Sequence, residues 1–397
     1  MGCNRRKNEF NHTKSNCMTD IDILIVGAGI SGATLAERYA NIGKKVLIIE
    51  KRDHIAGNCF DYLDENGILT SKYGAHLFHT NEKDVWEYVN RFGEWYPWEH
   101  RVVARVDDKT VPIPVNITTV NTLFGTNIST EEEMKQWLDN NRVEFSPAKN
   151  GEEAVLNRVG PVLYEKMFKH YTVKQWDKYP AELHASVLER IPVRTNYDDR
   201  YFSDEFQALP KGGYTKIFEQ MLDHPNITVL LNTDYFDVKD QYTGYEKLFY
   251  TGPVDRFFEF KKELDKLEYR SINFVTEHLD QEYFQETSVV NYPGNEVDFT
   301  RIVEYKHFGN QKSAKTSIVK EYTVDDGEPY YPVPNEKNQL IYEKYKEEAD
   351  KLTDVYFVGR LANYKYFNMD QAFKNALDLF SSLETQNLKH HATGATF

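Results

Sequence analysis

The sequence has little cysteine: three residues in 397, at Cys3, Cys17 and Cys59. The count is odd and two lie close to the start, so no disulfide framework is implied and a reducing, cytoplasmic compartment fits. No Cys/His set has zinc-finger spacing and no HExxH occurs, so no metal is expected. Basic excess is also missing. Lys and Arg number 48 against 62 Asp and Glu, a formal net charge of −14. That balance excludes a broad nucleic-acid or anionic-membrane surface. No apolar run is long enough to span a bilayer, and there is no internal repeat or low-complexity linker. What is present suffices for a core: 40% hydrophobic and 14% aromatic residues exclude disorder throughout. The length leaves room for two or three packed units. Twenty-seven tyrosines point to polar sites lined by rings with hydroxyl handles.

The ends carry no periodic pattern. Residues 1–18 are polar and basic, without the apolar stretch of a secretory signal. Arg6 stands where N-myristoylation needs Ser or Thr. We expect a flexible extension there and a flexible tail over 384–397.

Between them, IDILIV, the turn GAGISG, a helical pattern to Gly43 and VLIIE form a βαβ unit of a parallel sheet. Residues 131–141 and 152–171 carry helix-period apolar positions and read as a helical insertion. Runs at 272–276, 286–292, 299–305 and 316–324 are rich in Val, Ile, Thr, Tyr and Phe and read as an antiparallel sheet. DVYFVG is expected as a buried strand and MDQAFKNALDLF as a helix, returning the chain to βα patterning. The expected fold is α/β, with a discontinuous Rossmann-like domain from 19–95, 210–255 and 335–383. A helical domain is expected over 115–190. An antiparallel sheet domain is expected from 96–114, 191–209 and 256–334.

Gly27-x-Gly29-x-x-Gly32 falls between a strand and a helix. The first glycine permits the tight turn, the second lets a pyrophosphate approach the backbone, and the third allows close helix–strand packing. Glu50 ends the next strand, where a carboxylate accepts from ribose hydroxyls. NAD and FAD share this fingerprint, and three features favour FAD. KRDHIAGN (51–58) follows the acid as in flavoproteins. FVGR (357–360) repeats a strand-then-glycine pattern. The helix after Met369 offers its positive end to a flavin ring that is anionic when reduced.

Ten segments carry a further likeness: GAGISGA, EKRDHIAGN, YGAHLFHT, KHYTVKQW, IPVRTNYDDRYF, FQALPKGGYTKIFE, YTGPVDRFF, FTRIVEYKHF, PYYPV and FVGRLANYKYFNMD. Together they resemble the UDP-galactopyranose mutases of the shorter, bacterial type, from about Asp20 to Leu383. The resemblance implies an FAD-binding Rossmann-like domain with an inserted helical domain and an antiparallel β-sheet domain. It implies an isomerase that interconverts UDP-galactopyranose and UDP-galactofuranose, active with reduced FAD and without net redox, and a homodimer. In the mechanism proposed for the family, flavin N5 attacks the anomeric carbon, UDP leaves, the ring opens and recloses, and UDP returns.

By the same resemblance, Arg194 and Arg301 are the diphosphate arginines, with guanidinium forks that fit phosphate oxygens in pairs. Tyr331 and Tyr366 bring hydroxyls to the diphosphate. Tyr171, Thr172 and Trp176 map to the uridine site, and Tyr201 and Asn291 to the substrate side. His79 is expected to hydrogen-bond near the reactive edge of the flavin. The cofactor set comprises Gly27, Gly29, Ser31, Gly32, Glu50, Lys51, Asn58, His76, Leu77, Gly359, Arg360, Asn368, Met369 and Asp370. His100 departs from a frequent Asn on the substrate side, Ala56 from a glycine, and Asn368 from a frequent Asp. An amine-oxidase-type flavin oxidoreductase is the alternative. It shares the dinucleotide fingerprint but leaves the arginine, tyrosine and tryptophan segments without a role.

Overall fold

The computed structural model describes residues 20–393 except 260 and 262. The extension expected at 1–18 lies outside them. Five parallel strands form one sheet, in the order Ile227–Leu230, Val46–Ile49, Ile23–Val26, Lys247–Tyr250, Val355–Phe357. Ile23 is opposite Val46 on one side and Lys247 on the other. Ile23, Leu24 and Ile25 are fully buried, as a strand covered on both faces requires. Val355–Phe357 is the sheet edge, so it is half-buried rather than the buried strand expected. Helices Ile30–Asn41 and Met369–Thr393 pack together on the sheet, with Tyr39 meeting the Phe249 and Phe380 rings at 5.4 and 4.9 Å. The second helix continues through the first ten residues of the tail expected to be flexible. No Gly or Pro interrupts the sequence before Gly394, so nothing there stops it.

The second sheet has seven strands: Tyr331–Pro332, Tyr269–Leu279, Thr316–Val324, Arg301–Glu304, Val289–Asn291, Val102–Val106 and Lys109–Ile113. It is not wholly antiparallel. Val289–Asn291 pairs parallel with Val102–Val106. A long excursion separates these two strands in sequence, so no tight hairpin dictates their sense. A third sheet joins Phe78–Thr80, Phe206–Pro210 and Trp95–Pro97. The boundaries expected at 95/96 and 209/210 run through its strands.

The helical insertion comprises Ile117–Phe124, Glu131–Asn141, Gly151–Leu163, His170–Trp176 and Ala185–Glu189. Asn116 and Thr130 open the first two with capping boxes. Met134, Val155, Val159 and Leu163 pack on Ala104, Val106 and Val111 of the large sheet. The periodic stretch 152–171 is not one helix. Gly160 (φ +80°) precedes Pro161, and a Cβ on Gly160 would stand 2.0 Å from the Asn141 carbonyl. A π-helical turn, Tyr164–Lys169, then shifts the phase of the helix that presents Tyr171 and Thr172. Among the described residues no helix is long and apolar enough to cross a membrane.

One capping contact ties the small hairpin Asp61–Leu63/Leu69–Ser71 to the nucleotide unit. The Asp61 carboxylate accepts from the amides of Tyr214 (2.6 Å) and Thr215 (3.0 Å), at the start of helix Tyr214–Leu222. Gly213 (φ +95°) makes room, since a Cβ there would lie 2.5 Å from that carboxylate. Asp61→Ala leaves both buried amides unpaired. It is expected to lower stability by about 2 kcal/mol, read from urea denaturation of the holoprotein.

Candidate functional site

Residues from both ends of the chain wall one cavity. Gly27, Gly29, Ser31, Glu50, Lys51, Asn58 and His76 line one side, and Gly359, Arg360, Asn368 and Met369 another. Gly27 has φ +104°, and a Cβ there would strike the Thr251 hydroxyl at 2.1 Å. Gly29 lies against Gly57, so closely that a Cβ on Gly57 would be 2.8 Å from the Gly29 Cα. Gly32 does not line the cavity. A Cβ there would meet the Gly27 carbonyl at 1.9 Å, so its role is to let the helix close on the turn. Glu50, 6% exposed, accepts from the amides of Ala28 (2.8 Å) and Arg52 (2.9 Å) and retains lone pairs for ribose hydroxyls. A turn that no side chain would fit and a carboxylate beyond it suit a dinucleotide.

Residues 233–236, 251–253 and Arg256 form a wall the sequence reading missed. They follow the carboxyl ends of two parallel strands, the edge where open α/β sheets take ligands. Strand order was the signal that would have found them. Arg256 lies over Phe236 at 5.0 Å and pairs with Asp234 at 2.6 Å. Lys51 lines the cavity, but its ammonium pairs with Glu328 at 2.5 Å, and Arg52 joins the same carboxylate at 3.2 Å. Asn58 accepts from Arg52 at 3.0 Å. Two expected cofactor residues lie elsewhere. Leu77 packs into the core beside Phe78 and Tyr214, because it points into the protein from the loop carrying His76. Asp370 lines a neighbouring cavity with Asp204 and Lys374.

His76 donates through Nδ1 to the Gly74 carbonyl at 2.8 Å. Burial, helped by Arg360 and Arg301, pushes this imidazole down to about 4. It is therefore neutral near pH 7, with the Nε2 lone pair available. His79 donates through Nδ1 to Asp204 at 2.9 Å and stacks on Phe202 at 3.6 Å. His100 packs between Tyr201 and Phe308, and its Nδ1 is buried without a partner. Burial, with Arg301 and His79 adding to it, pushes it down to about 3.

The second group gathers around Arg301. Strand register sets Arg301 opposite Glu321, and Nε donates to Oε2 at 2.7 Å. The carboxylate side chain is 4% exposed and the arginine 29%, so the acid is enclosed while the guanidinium reaches open space. Burial opposes the Arg301 charge, yet Glu321 and Tyr171 outweigh it and raise the pKa. Tyr171 lies within electrostatic reach of Arg301, Tyr201 and Tyr366. Trp176 meets Tyr331 at 5.0 Å and Tyr366 at 6.1 Å, and those two tyrosines meet at 5.7 Å. Thr172 is buried on the same short helix. Asn291 sits opposite Arg301 in register, its Oδ1 buried and unpartnered.

Arg194 does not join this group. Its guanidinium donates to the carbonyls of Asp198 (3.2 Å) and Arg200 and braces its own loop. Arg190, four residues earlier, does lie in the group. Its guanidinium lies 4.4 Å from the centre of the Tyr366 ring, with Arg360 at 4.9 Å. Burial raises the Tyr366 pKa, but Arg190 and Arg360 outweigh it and the phenol ends below its ordinary value. The motif ERIPVR holds both arginines. The distinguishing signal is the helix Ala185–Glu189, whose C-terminal end favours a cation at 190.

Residues 166–366 match the family model for UDP-galactopyranose mutase. A probable UDP-galactopyranose mutase of Klebsiella pneumoniae is 38% identical over 93% of this chain and 97% of its own length. The chain belongs to the UDP-galactopyranose mutase family. Within that family, a dTDP-fucopyranose mutase of Escherichia coli is also 38% identical, covering 90% of this chain and 96% of its own. A UDP-galactopyranose mutase of Mycoplasma genitalium is 35% identical over 89% and 93%. Residues 25–92 match a model for NAD(P)-binding Rossmann-like domains. Among solved structures, a reduced UDP-galactopyranose mutase superposes with a TM-score of 0.72 at 19% identity, covering 92% of this chain and 96% of that one. A putative protoporphyrinogen oxidase from Exiguobacterium gives 0.67 at 14%, covering 93% and 100%. At such identities these two matches bear on the fold alone.

The arginine assignment is open to a direct titration. In Arg190→Met the Tyr366 phenol loses its nearest cation, so its pKa is expected to rise by roughly one unit or more. Arg194→Met should leave it unchanged. Ultraviolet difference titration against Tyr366→Phe reads both.

Proposed function

We propose that this chain interconverts UDP-galactopyranose and UDP-galactofuranose as a flavin-dependent isomerase, with FAD in the glycine-lined cavity. The observation that carries the reading is the set Arg190, Arg301, Tyr171, Tyr201, Tyr331, Tyr366 and Trp176 assembled beside that cavity. A flavin oxidoreductase of a small amine has no use for two guanidinium groups among phenols. A nucleoside diphosphate does.

The glycine turn and the helix beginning at Met369 receive the pyrophosphate and ring ends of FAD, and Glu50 its ribose. Bound here and reduced, FAD would supply the electron-rich nitrogen that covalent catalysis at the hexose requires. The rest falls to the chain. Arg190 and Arg301 hold the diphosphate and stabilise the negative charge that grows on UDP as the glycosidic bond breaks. Tyr331 and Tyr366 add hydroxyl donors without further charge. Trp176, Tyr171 and Thr172 hold the nucleoside so that UDP stays in place while the sugar rearranges. His76 is uncharged and offers an acceptor at Nε2. His79 is fixed in orientation by Asp204 and Phe202, which leaves its Nε2 for a sugar hydroxyl or flavin N–H. Asn291 and His100 bring unpaired polar atoms to the same side. The family resemblance supports a homodimer working in the cytoplasm, and light scattering of the purified holoprotein tests the dimer.

Dithionite-reduced protein, incubated anaerobically with UDP-galactofuranose, is expected to form UDP-galactopyranose, with little conversion by the oxidised form. Oxidation of the sugar in step with flavin reduction would show an oxidoreductase instead. dTDP-fucofuranose is run in parallel because of the E. coli relative, and faster turnover of it would reassign the substrate. Arg301→Ala and Arg190→Ala are each expected to cost at least tenfold in kcat/KM, the scale of one lost charge-assisted contact.

A further inference from the structure

Lys174 has no part in the chemistry above, yet it is held in an unusual way. It lies on the helix His170–Trp176, three residues after Tyr171 and two before Trp176. Its ammonium is partly buried, with the Glu296 and Asp298 carboxylates within electrostatic reach. It donates to three main-chain carbonyls, those of Tyr292, Val297 (3.3 Å) and Phe299 (3.0 Å). An ammonium has three N–H donors and no acceptor, so the match is complete. All three carbonyls belong to the loop that joins strand Val289–Asn291 to strand Arg301–Glu304. That loop stands on two feet, Asn291 and Arg301, opposite one another in register. It is closed further by the Tyr292 amide on the Thr300 carbonyl (2.9 Å) and by the Tyr292 ring against Phe299. The same end of the helix has a second anchor. The Gln175 carbonyl accepts from Arg270 (3.1 Å) and Tyr331 (3.2 Å).

We infer that Lys174 is a positioning residue, whose ammonium gathers the 292–300 loop and fixes the distance between the nucleoside helix and the Arg301 guanidinium. The inference rests on the proposed reading of those two elements as a nucleoside site and a diphosphate site. The helix alone carries the rings for a base. Glu321 and strand register orient the Arg301 guanidinium, and the pinned loop ties that strand to the nucleoside helix. Loss of the pin therefore weakens a nucleoside diphosphate more than a monophosphate. Methionine keeps the length of the stem and removes all three donors.

The test uses the FAD-loaded protein and two probes, UDP and UMP, by titration calorimetry. Wild type is expected to bind UDP more tightly than UMP. In Lys174→Met, UDP affinity should fall about tenfold and UMP affinity less than threefold. KM for UDP-galactofuranose should rise in parallel, and kcat should fall as well, because Arg301 also steadies the charge that grows on UDP. Lys174→Gln, which keeps two N–H donors, should lie between. Hydrogen exchange at amides 292–300 should quicken in Lys174→Met and change little at 269–279. Unchanged UDP affinity in Lys174→Met would overturn the inference, and so would equal losses of UDP and UMP, the mark of a helix that is merely displaced. Should Lys174→Met fail to hold FAD, Lys174→Gln carries the same two-probe comparison. A wild-type protein that binds neither UDP nor UMP would remove the functional reading and this inference together. Binding by wild type with no change in either variant would remove the inference alone.

Discussion

The site depends on the pairing of Arg301 with Glu321 across two antiparallel strands. A guanidinium facing a cleft is costly to enclose, and an enclosed carboxylate without a partner is costlier still. Strand register places the two face to face, so neither has to search for the other. The carboxylate occupies the Nε side and leaves the far edge of the guanidinium turned toward the tyrosines. Around it the phenols of Tyr171 and Tyr201 add partial charge without competing for the fork. The chain as a whole is strongly acidic, and yet three arginines, 190, 301 and 360, crowd about Tyr366 and its neighbours. Local geometry rather than net charge makes this region attractive to phosphate.

The nucleotide unit was the most legible part of the sequence. A short apolar strand, three spaced glycines and an acid at the next strand end each have a narrow physical purpose, and the close contacts at Gly27 and Gly32 bear that purpose out. The far wall of the cavity was harder to foresee. Residues 233–236 have no motif of their own, and Arg256 lies in YTGPVDRFF, a segment that carried the likeness without pointing to the cavity; both reach it because their strands flank the first βαβ unit. Strand order is a long-range property that local patterns do not encode.

That Arg190 rather than Arg194 meets Tyr366 in this structure has a similar origin. Two arginines four residues apart carry the same chemistry, and the choice between them turns on where a five-residue helix ends. The Gly160–Pro161 break and the π-turn that follows were hidden for the opposite reason. Their apolar spacing imitates one continuous helix, and only the crossing of Asn141 against Gly160 reveals why the chain has to bend. In both cases the local pattern was read correctly as helix, and a tertiary contact decided where it stopped.

The glycine-rich turn lies near one end of the polypeptide, and the segment from Gly359 to Met369 that completes the same cavity lies near the other. A nascent chain leaving the ribosome therefore exposes one half of a coenzyme pocket long before the other half exists. The cavity is complete only after the segment from Gly359 to Met369 has been made. Until then the apolar first βαβ unit must wait uncovered, without the C-terminal helix that later packs on it.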